Sequence, residues 1–197
     1  MSSLLTRSTA WIALALGACG NVSSNPPPDG RTVACNGGPV DVLPNGGFDA
    51  AEPAWGQQPP NILCGSQRIT PHMGTTAACI GGGGDNTTNT LTQTLLLPAG
   101  ASSARLTGFI CIATDETDPV DNDVLTFDIL DGVAPIARLG QRSNQQGMPA
   151  CEFGQFMLEA QLAGDPVSAT LRLQSTLNVG NSTTFYVDSL SLTVACN

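Results

Sequence analysis

Short segments in which apolar and polar residues alternate recur along most of this chain and restrict its fold more than any other feature. Between 124 and 130, for example, Leu125, Phe127 and Ile129 fall on one side of an extended strand. The predicted strands are 91–97, 105–113, 124–130, 135–139, 169–174 and 185–195. Gly, Pro, Asn and Asp separate them, and no helical periodicity exceeds two turns. We therefore expect an all-β sandwich.

The 105–113 segment is apolar at most positions rather than alternating, and it includes Leu106, Phe109 and Ile112. Such a run is typical of a strand that is covered on both faces. We therefore expect these side chains, Phe109 among them, to be buried.

The first 18 residues have the composition of an export signal. Arg7 supplies a positive start, residues 10–18 are mostly apolar, and Leu16-Gly17-Ala18-Cys19 closes the run with small residues and a cysteine. The run is shorter than the roughly 20 residues that a transmembrane helix needs. An ordinary secretory signal with an incidental Cys19 is the other alternative.

The Leu16–Cys19 segment resembles the lipobox of bacterial lipoproteins. The resemblance implies a diacylglycerol on the Cys19 thiol, cleavage before Cys19, and a further acyl chain such as palmitate; two or more chains anchor a protein stably to a membrane. Gly20 follows the cysteine, which by analogy with Gram-negative sorting favours the outer membrane of the cell envelope. We expect a signal peptide at 1–18, the lipidated cysteine and a Pro-rich tether at 19–34, and one domain at 35–197.

Cysteine parity supports this division. The chain has 7 cysteines, and setting Cys19 aside leaves an even set that suits disulfides in an exported protein. Fifteen pairings of six cysteines are possible. Because Cys35 precedes the first predicted strand and Cys196 follows the last, we favour Cys35–Cys196. Cys64–Cys79 and Cys111–Cys151 are the remaining pairs.

Charge excludes one class of partner. The chain has 16 acidic and 7 basic residues, none of them lysine, and a net charge of −9. Such a surface repels nucleic acid and lacks the basic patches that phosphate backbones require. We therefore expect no nucleic-acid partner.

Several short motifs resemble the galactose-binding-like jelly-roll domains, a group that includes many carbohydrate-binding modules. They are Asn45-Gly46-Gly47-Phe48-Asp49 with Trp55 downstream, 91–100, 123–125 and 185–192. Together they span 39–196 in the family's order. The resemblance implies a jelly-roll sandwich, but this fold carries binding, adhesive and structural roles alike.

The resemblance also implies a structural calcium between the first and last strands, where Asp49 and Asp188 would lie and Glu52 could assist. The alternative is that these carboxylates hydrogen-bond strand ends. A second acidic group, Asp115–Asp123, has five carboxylates on a predicted loop. It is either a solvated loop or a calcium site without a recognised motif.

Catalysis has little support in the sequence. His72 is the only histidine and falls in a predicted loop, and no nucleophile elbow or zinc spacing is present. We expect no enzyme activity. Sugar sites of such modules usually have aromatic platforms. The place of Trp55 in the opening motif predicts a packing role for it instead, and Tyr186 lies in the last predicted strand.

These observations favour an envelope-anchored binding or adhesion module, with polysaccharide as one possible ligand. The rival hypothesis is a structural or assembly lipoprotein that contacts partner proteins and has no small-molecule ligand. An exposed aromatic patch would favour a sugar, and a flat apolar patch would favour a protein partner.

Lipid anchoring makes a direct prediction. Replacing Cys19 with Ala removes the acylated thiol, so the protein should move from the detergent-extracted membrane fraction to an unprocessed or soluble one. Cell fractionation and mass spectrometry of the native N-terminus measure this. An unmodified N-terminal residue in the wild-type protein would contradict the lipobox hypothesis.

Overall fold

The computed structural model describes residues 33, 35, 38–51, 53–83, 86–117, 119–147, 150–180 and 182–197. The predicted signal peptide, Cys19 and nearly all of the tether lie outside these residues. Within the described part, no helix has the length and apolar composition needed to cross a membrane.

The described residues form strands joined by turns and loops. The strands are β1 (Val40–Asp41), β2 (Gly56–Gln58), β3 (Leu63–Gly65), β4 (Thr76–Gly81), β5 (Thr88–Leu96), β6 (Ala101–Thr114), β7 (Val124–Asp131), β8 (Ala134–Ser143), β9 (Gly154–Gln161), β10 (Ser168–Thr176) and β11 (Thr183–Cys196). A single 3-10 turn, Asn144–Gln146, follows β8.

Two antiparallel sheets pack face to face. The six-stranded sheet has the order β3-β4-β11-β6-β9, with β1 also paired to β11, and the five-stranded sheet has the order β2-β5-β10-β7-β8. Strand β11 is central, because β6 pairs along one side of it while β4 and β1 share the other. The last strand therefore joins the beginning of the domain to its middle.

The apolar core lies between the sheets and follows the alternation of the sequence. Both sheets contribute fully buried side chains, among them Leu91, Phe127, Leu173, Ile80, Leu106 and Phe185. The predicted all-β jelly-roll sandwich is confirmed, and each predicted strand is present, most of them longer than predicted at one or both ends. Strands β1 to β4 and β9 were not predicted; the first three have only two or three residues each, too few to show a period.

A β-bulge interrupts β11. Phe185 and Val187 face the core before it, and Leu190 and Leu192 face the core after it. The register against β6 shifts between Asp188 and Ser191, and Ser189 has a φ of 52°. An extra residue in one strand reverses the alternation beyond it. The bulge therefore lets the apolar side chains of both halves of β11 face the core.

Three disulfides are present. They join Cys35 to Cys196, which is the pair that we favoured from the sequence, and Cys64 to Cys79 and Cys111 to Cys151, which are the two remaining pairs. The first closes 161 residues and links the segment before β1 to the end of β11. The other two lie on the outer face of the six-stranded sheet, because Cys79 and Cys111 are the neighbours of Tyr186 in the strand register.

The Cys35–Cys196 disulfide should dominate stability among the three. In the chain-entropy model, closing a loop with a sequence separation of 161 stabilises the fold by up to about 5 kcal/mol, against about 3 kcal/mol for the separation of 15 between Cys64 and Cys79. We expect the Cys35→Ser/Cys196→Ser variant to lose a few kcal/mol of unfolding free energy in urea denaturation. Cys35→Ser alone should lose the same amount. A loss below about 1 kcal/mol would contradict the expectation that closing this loop dominates stability.

Candidate functional site

The bulge in β11 holds a loop over the outer face of the six-stranded sheet. Asp188 is fully buried, and its Oδ2 accepts a hydrogen bond from the Met73 N–H at 3.0 Å. Ser189, the next residue, has its Oγ 3.0 Å from Nδ1 of His72. Because the bulge places two consecutive polar side chains against this loop, residues 72–73 are fixed above the sheet.

Asp49 holds the other side of the same loop. Its Oδ1 accepts the backbone N–H groups of Thr75 at 2.8 Å and Thr76 at 2.9 Å, and the Thr75 hydroxyl at 3.0 Å. Gly74 lies between the two aspartates with a φ of 67°, and a Cβ there would overlap the Asp49 carboxylate. The close approach of carboxylate and backbone therefore requires glycine at this position.

The donor set at Asp49 and Asp188 does not fit the calcium ion that the family resemblance implied. Both oxygens of Asp188 accept backbone N–H groups, and Oδ1 of Asp49 accepts three donors. Calcium takes six to eight oxygens. The described residues include no group of three or more His, Cys, Asp or Glu side chains able to hold a metal, and Glu52 lies outside them. Hydrogen bonding, the alternative considered above, accounts for both carboxylates.

The loop brings an imidazole ring onto a phenyl ring. The His72 ring stacks on Phe109 with a centroid separation of 3.5 Å and an interplanar angle of 14°. Phe153, in the loop before β9, meets His72 edge-on at 6.1 Å. All three rings are half-buried. The expectation that Phe109 would be buried in the core is therefore wrong. Strand β6 is apolar on both faces, but between 104 and 112 only its even-numbered positions face the core.

Tyr186 lies on the same outer face. It pairs with Cys79 on one side and Cys111 on the other, so a disulfide flanks it in each direction. Tyr186 and Phe109 are diagonal neighbours on adjacent strands, with Cα atoms about 7–8 Å apart. We call His72, Phe109, Phe153 and Tyr186 the aromatic face. None of these rings belongs to the core between the sheets.

Trp55, by contrast, has the packing role predicted for it. Its side chain is 5% exposed and lies against Phe48 with ring centroids 5.0 Å apart. Its indole N–H donates to the Asn45 carbonyl at 2.9 Å. The opening motif therefore uses its aromatic residues to fix the first loop on the core, and Trp55 is not available to a ligand.

The outer face of the five-stranded sheet is polar. Its outward side chains on β5 and β10 are Thr, Ser, Gln and Arg, with Leu96 as the exception. At its centre Asp128 accepts hydrogen bonds from Arg138 Nε and Arg172 Nη2, each at 2.8 Å, and is buried beneath them. These two guanidinium groups neutralise the carboxylate. Since the outward side chains of β5 and β10 include no aromatic ring, this face is poorly suited to stacking on a sugar.

A polar cleft of about 630 Å³ opens at one end of the sandwich. Asp115, Glu116 and Thr117 line one side, and Asn144 of the 3-10 turn lines another. The acidic residues differ in burial: Asp115 and Asp121 are exposed, whereas Asp123 is fully buried. Asp118 lies outside the described residues. A uniformly solvated acidic loop therefore does not describe this segment.

Two solved structures share this fold. A carbohydrate-binding module named CBM61, solved with β-1,4-galactotriose, matches with a TM-score of 0.50 and 15% identity over 78% of this chain and 97% of that one. A GH51 α-L-arabinofuranosidase, solved with arabinose, matches with a TM-score of 0.53 and 16% identity; the match covers 81% of this chain and 27% of the enzyme. At these identities the likeness shows the fold alone. No protein-family model and no curated protein matches the chain.

The Asp49 hydrogen bonds predict a pH-dependent contribution to stability. The Thr75 N–H, supported by the Thr75 hydroxyl and the Thr76 N–H, lowers the pKa of Asp49 below its ordinary value of 3.8. A lowered folded-state pKa stabilises the fold above the unfolded value, and this stabilisation is lost as the pH falls through the folded value. Asp49→Asn should therefore lower the Tm by about 1–2 °C at pH 6, since solvent screens an exposed carboxylate and reduces its contribution to about 0.5 kcal/mol.

The Tm difference between wild type and Asp49→Asn should shrink as the pH falls below 3.8. Thermal melts at pH 6, 4 and 3 measure it. Asp131→Asn, which changes an exposed carboxylate at the end of β7, is the matched control and should leave the Tm unchanged. A difference that stays constant down to pH 3 would show that the charge of Asp49 does not hold the loop.

Proposed function

We propose that this protein is a carbohydrate-binding module that takes its ligand on the aromatic face of the six-stranded sheet and is held at the bacterial envelope by acyl chains on Cys19. The observation that carries the proposal is the convergence of His72, Phe109, Phe153 and Tyr186 outside the core. Aromatic side chains that a fold does not use for packing are available to stack on a ligand.

The chemistry of this face suits a sugar. The apolar C–H faces of a pyranose ring pack on aromatic rings, while its hydroxyl groups need hydrogen-bonding partners nearby. Gln155 pairs with Phe109 across β6 and β9 and is exposed, and Thr107 lies two residues along the same strand. The phenol of Tyr186 adds a further donor and acceptor. Rings and polar groups of this kind occur together on this face.

Rigidity supports the same assignment. The disulfides of Cys79 and Cys111 flank Tyr186, and hydrogen bonds from Asp49, Asp188 and Ser189 fix the loop that carries His72. A ring that is already ordered loses little conformational entropy when a ligand binds. Acyl chains on Cys19 and the Pro-rich tether would hold the domain clear of the membrane surface.

Ring truncation tests the proposal. Affinity electrophoresis in β-1,4-galactan, arabinan and xylan should show retardation of the wild-type chain by at least one polysaccharide. Phe153→Ala and Tyr186→Ala should each weaken that binding about tenfold or more, equivalent to about 1.4 kcal/mol, as expected for central aromatic contacts. Arg138→Ala, on the polar face of the other sheet, is the matched control and should bind as wild type does.

Two outcomes would contradict this assignment. If the ring variants bind like wild type while Arg138→Ala loses affinity, the ligand lies on the five-stranded sheet. If no polysaccharide retards the chain, the module does not bind these glycans. Circular dichroism of each variant shows whether its fold is retained, so that loss of binding is not confused with unfolding.

One observation favours the rival function, a structural or assembly lipoprotein with a protein partner. Met73 and Met157 are 65% and 60% exposed and lie on the same side of the six-stranded sheet as the aromatic face. Flexible, polarizable methionine side chains are common at protein-binding surfaces. A photo-crosslinking residue at position 157 in living cells should remain uncrosslinked to protein if the ligand is a glycan, and a specific crosslinked protein would favour the rival.

A further inference from the structure

We infer that the sugar chain taken by the aromatic face carries a uronic acid residue, and that Arg142 binds the carboxylate of this residue in a small pocket between the edges of the two sheets. This inference rests on the proposed function, because it names the class of sugar that the same surface would take. The guanidinium group and the aromatic rings are separate groups, so substitutions can test them independently.

Arg142 points into the edge of the sandwich. It is paired with Leu125 in the register of β7 and β8, and Leu125 is fully buried. Paired residues share a face of the sheet, so the Arg142 side chain lies on the core side rather than on the outer polar face. Its guanidinium carbon is 5.5 Å from the ring centroid of Phe156, on β9 of the opposite sheet. The positive charge therefore lies between β8 and β9, the edge strands of the two sheets.

This guanidinium has no acidic partner. Arg105, Arg138 and Arg172 each form an ion pair with a carboxylate, whereas Arg142 forms none within the described part of the chain. Its Nη1 donates to the Gln141 carbonyl at 2.8 Å, which leaves the edge formed by Nε and Nη2 for a ligand. Partial burial lowers the pKa of Arg142 below its ordinary value, because the charge loses water without gaining an anion. A carboxylate at that edge would accept two parallel hydrogen bonds.

The guanidinium lines a pocket of about 280 Å³. Ile110 and Ile112 of β6 form an apolar wall, and Gln146 adds an amide. The Gln146 side-chain oxygen accepts the Ser143 N–H at 3.2 Å, so its NH₂ group is the part that can donate to a ligand. Pockets that enclose a whole small molecule typically measure about 300–1,000 Å³. The pocket therefore suits one substituent of a sugar chain rather than several sugar rings.

The pocket adjoins the aromatic face. Phe153, which meets His72 edge-on at 6.1 Å, lies in sequence between two residues that line the pocket. Gln155 lines it as well and is the strand partner of Phe109. A sugar chain that stacks on the rings can therefore place the carboxylate of a neighbouring residue at Arg142.

Protection of an edge strand is the competing explanation for Arg142. Charged side chains that point inward on an edge strand discourage pairing with another molecule, and β8 is an edge strand. If Arg142 serves only this purpose, its replacement increases self-association and leaves the binding of acidic sugars unchanged. If it binds a carboxylate, its replacement weakens the binding of acidic sugars alone.

Calorimetric titration of the full chain with matched sugars tests the inference. The probes are oligosaccharides of galacturonate, mannuronate and glucuronoxylan, each compared with its carboxyl-reduced form. Reduction keeps the sugar ring and replaces the carboxylate with a neutral hydroxymethyl group. We expect at least one acidic probe to bind about tenfold or more tightly than its reduced form, equivalent to about 1.4 kcal/mol.

Arg142→Gln should abolish this preference, weakening the acidic probe about tenfold or more and changing the reduced probe less than about twofold. Arg142→Lys keeps the charge without the planar fork and should retain part of the preference. Arg68→Gln is the matched control, because Arg68 is exposed in a loop that does not line this pocket and its loss changes the net charge equally. It should bind as wild type does. Gel filtration and circular dichroism measure the association state and fold of each variant.

Two results would overturn the inference. One is that no acidic probe binds more tightly than its reduced form, and the other is an unchanged preference in Arg142→Gln. The proposed function is tested separately by Phe153→Ala and Tyr186→Ala. It stands without the inference if neutral galactan or a reduced probe binds and both ring variants weaken that binding. It fails without the inference if an acidic probe needs Arg142 but binds both ring variants as tightly as wild type.

Discussion

The β-bulge at Asp188 and Ser189 is the constraint on which the rest of the structure depends. It lets Phe185 and Leu192 face the same core although an even alternation would place them on opposite faces. Its polar residues hold the 72–76 loop, and the Leu190 N–H donates to the Gly46 carbonyl at 2.9 Å. A Cβ on residue 46 would overlap the Leu190 carbonyl oxygen, so only glycine fits at this position of the opening motif. The first loop, the 72–76 loop and β11 thus meet at this β-bulge.

The sequence predicts those parts of the fold in which one physical effect dominates. Alternation placed Leu125 and Phe127 in the core, and the indole of Trp55 packs as its place in the opening motif indicated. The bulge escaped detection because Asp188-Ser189 resembles an ordinary polar position in an alternating strand. Phe109 was placed in the core because β6 is apolar on both faces, and only the register and the loop that crosses the sheet decide which face meets solvent.

The candidate sites could be predicted only in part for a related reason. His72, Phe109 and Phe153 are far apart in sequence, and a loop without periodicity brings them together. Asp123 is likewise buried although Asp115 in the same acidic segment is exposed, and its hydrogen-bond partners, the Asn178 N–H and the Asn144 side chain, come from connections far away in sequence. The two sheets consequently have outer faces of different chemistry, one with aromatic rings between disulfides and the other with threonines around a neutralised Asp128. Only the first suits stacking on an apolar sugar face.

The position of the ligand on the domain tests the account most directly. Backbone amide shifts of the isotope-labelled chain, followed during titration with a galactan oligosaccharide or another glycan that the chain retains, map the contact surface. We predict that the largest changes occur at 72–76, 107–111, 153–157 and 184–188, the segments that form and surround the aromatic face. Changes confined to 88–96 and 168–176 on the five-stranded sheet, or to residues lining the polar cleft, would contradict it.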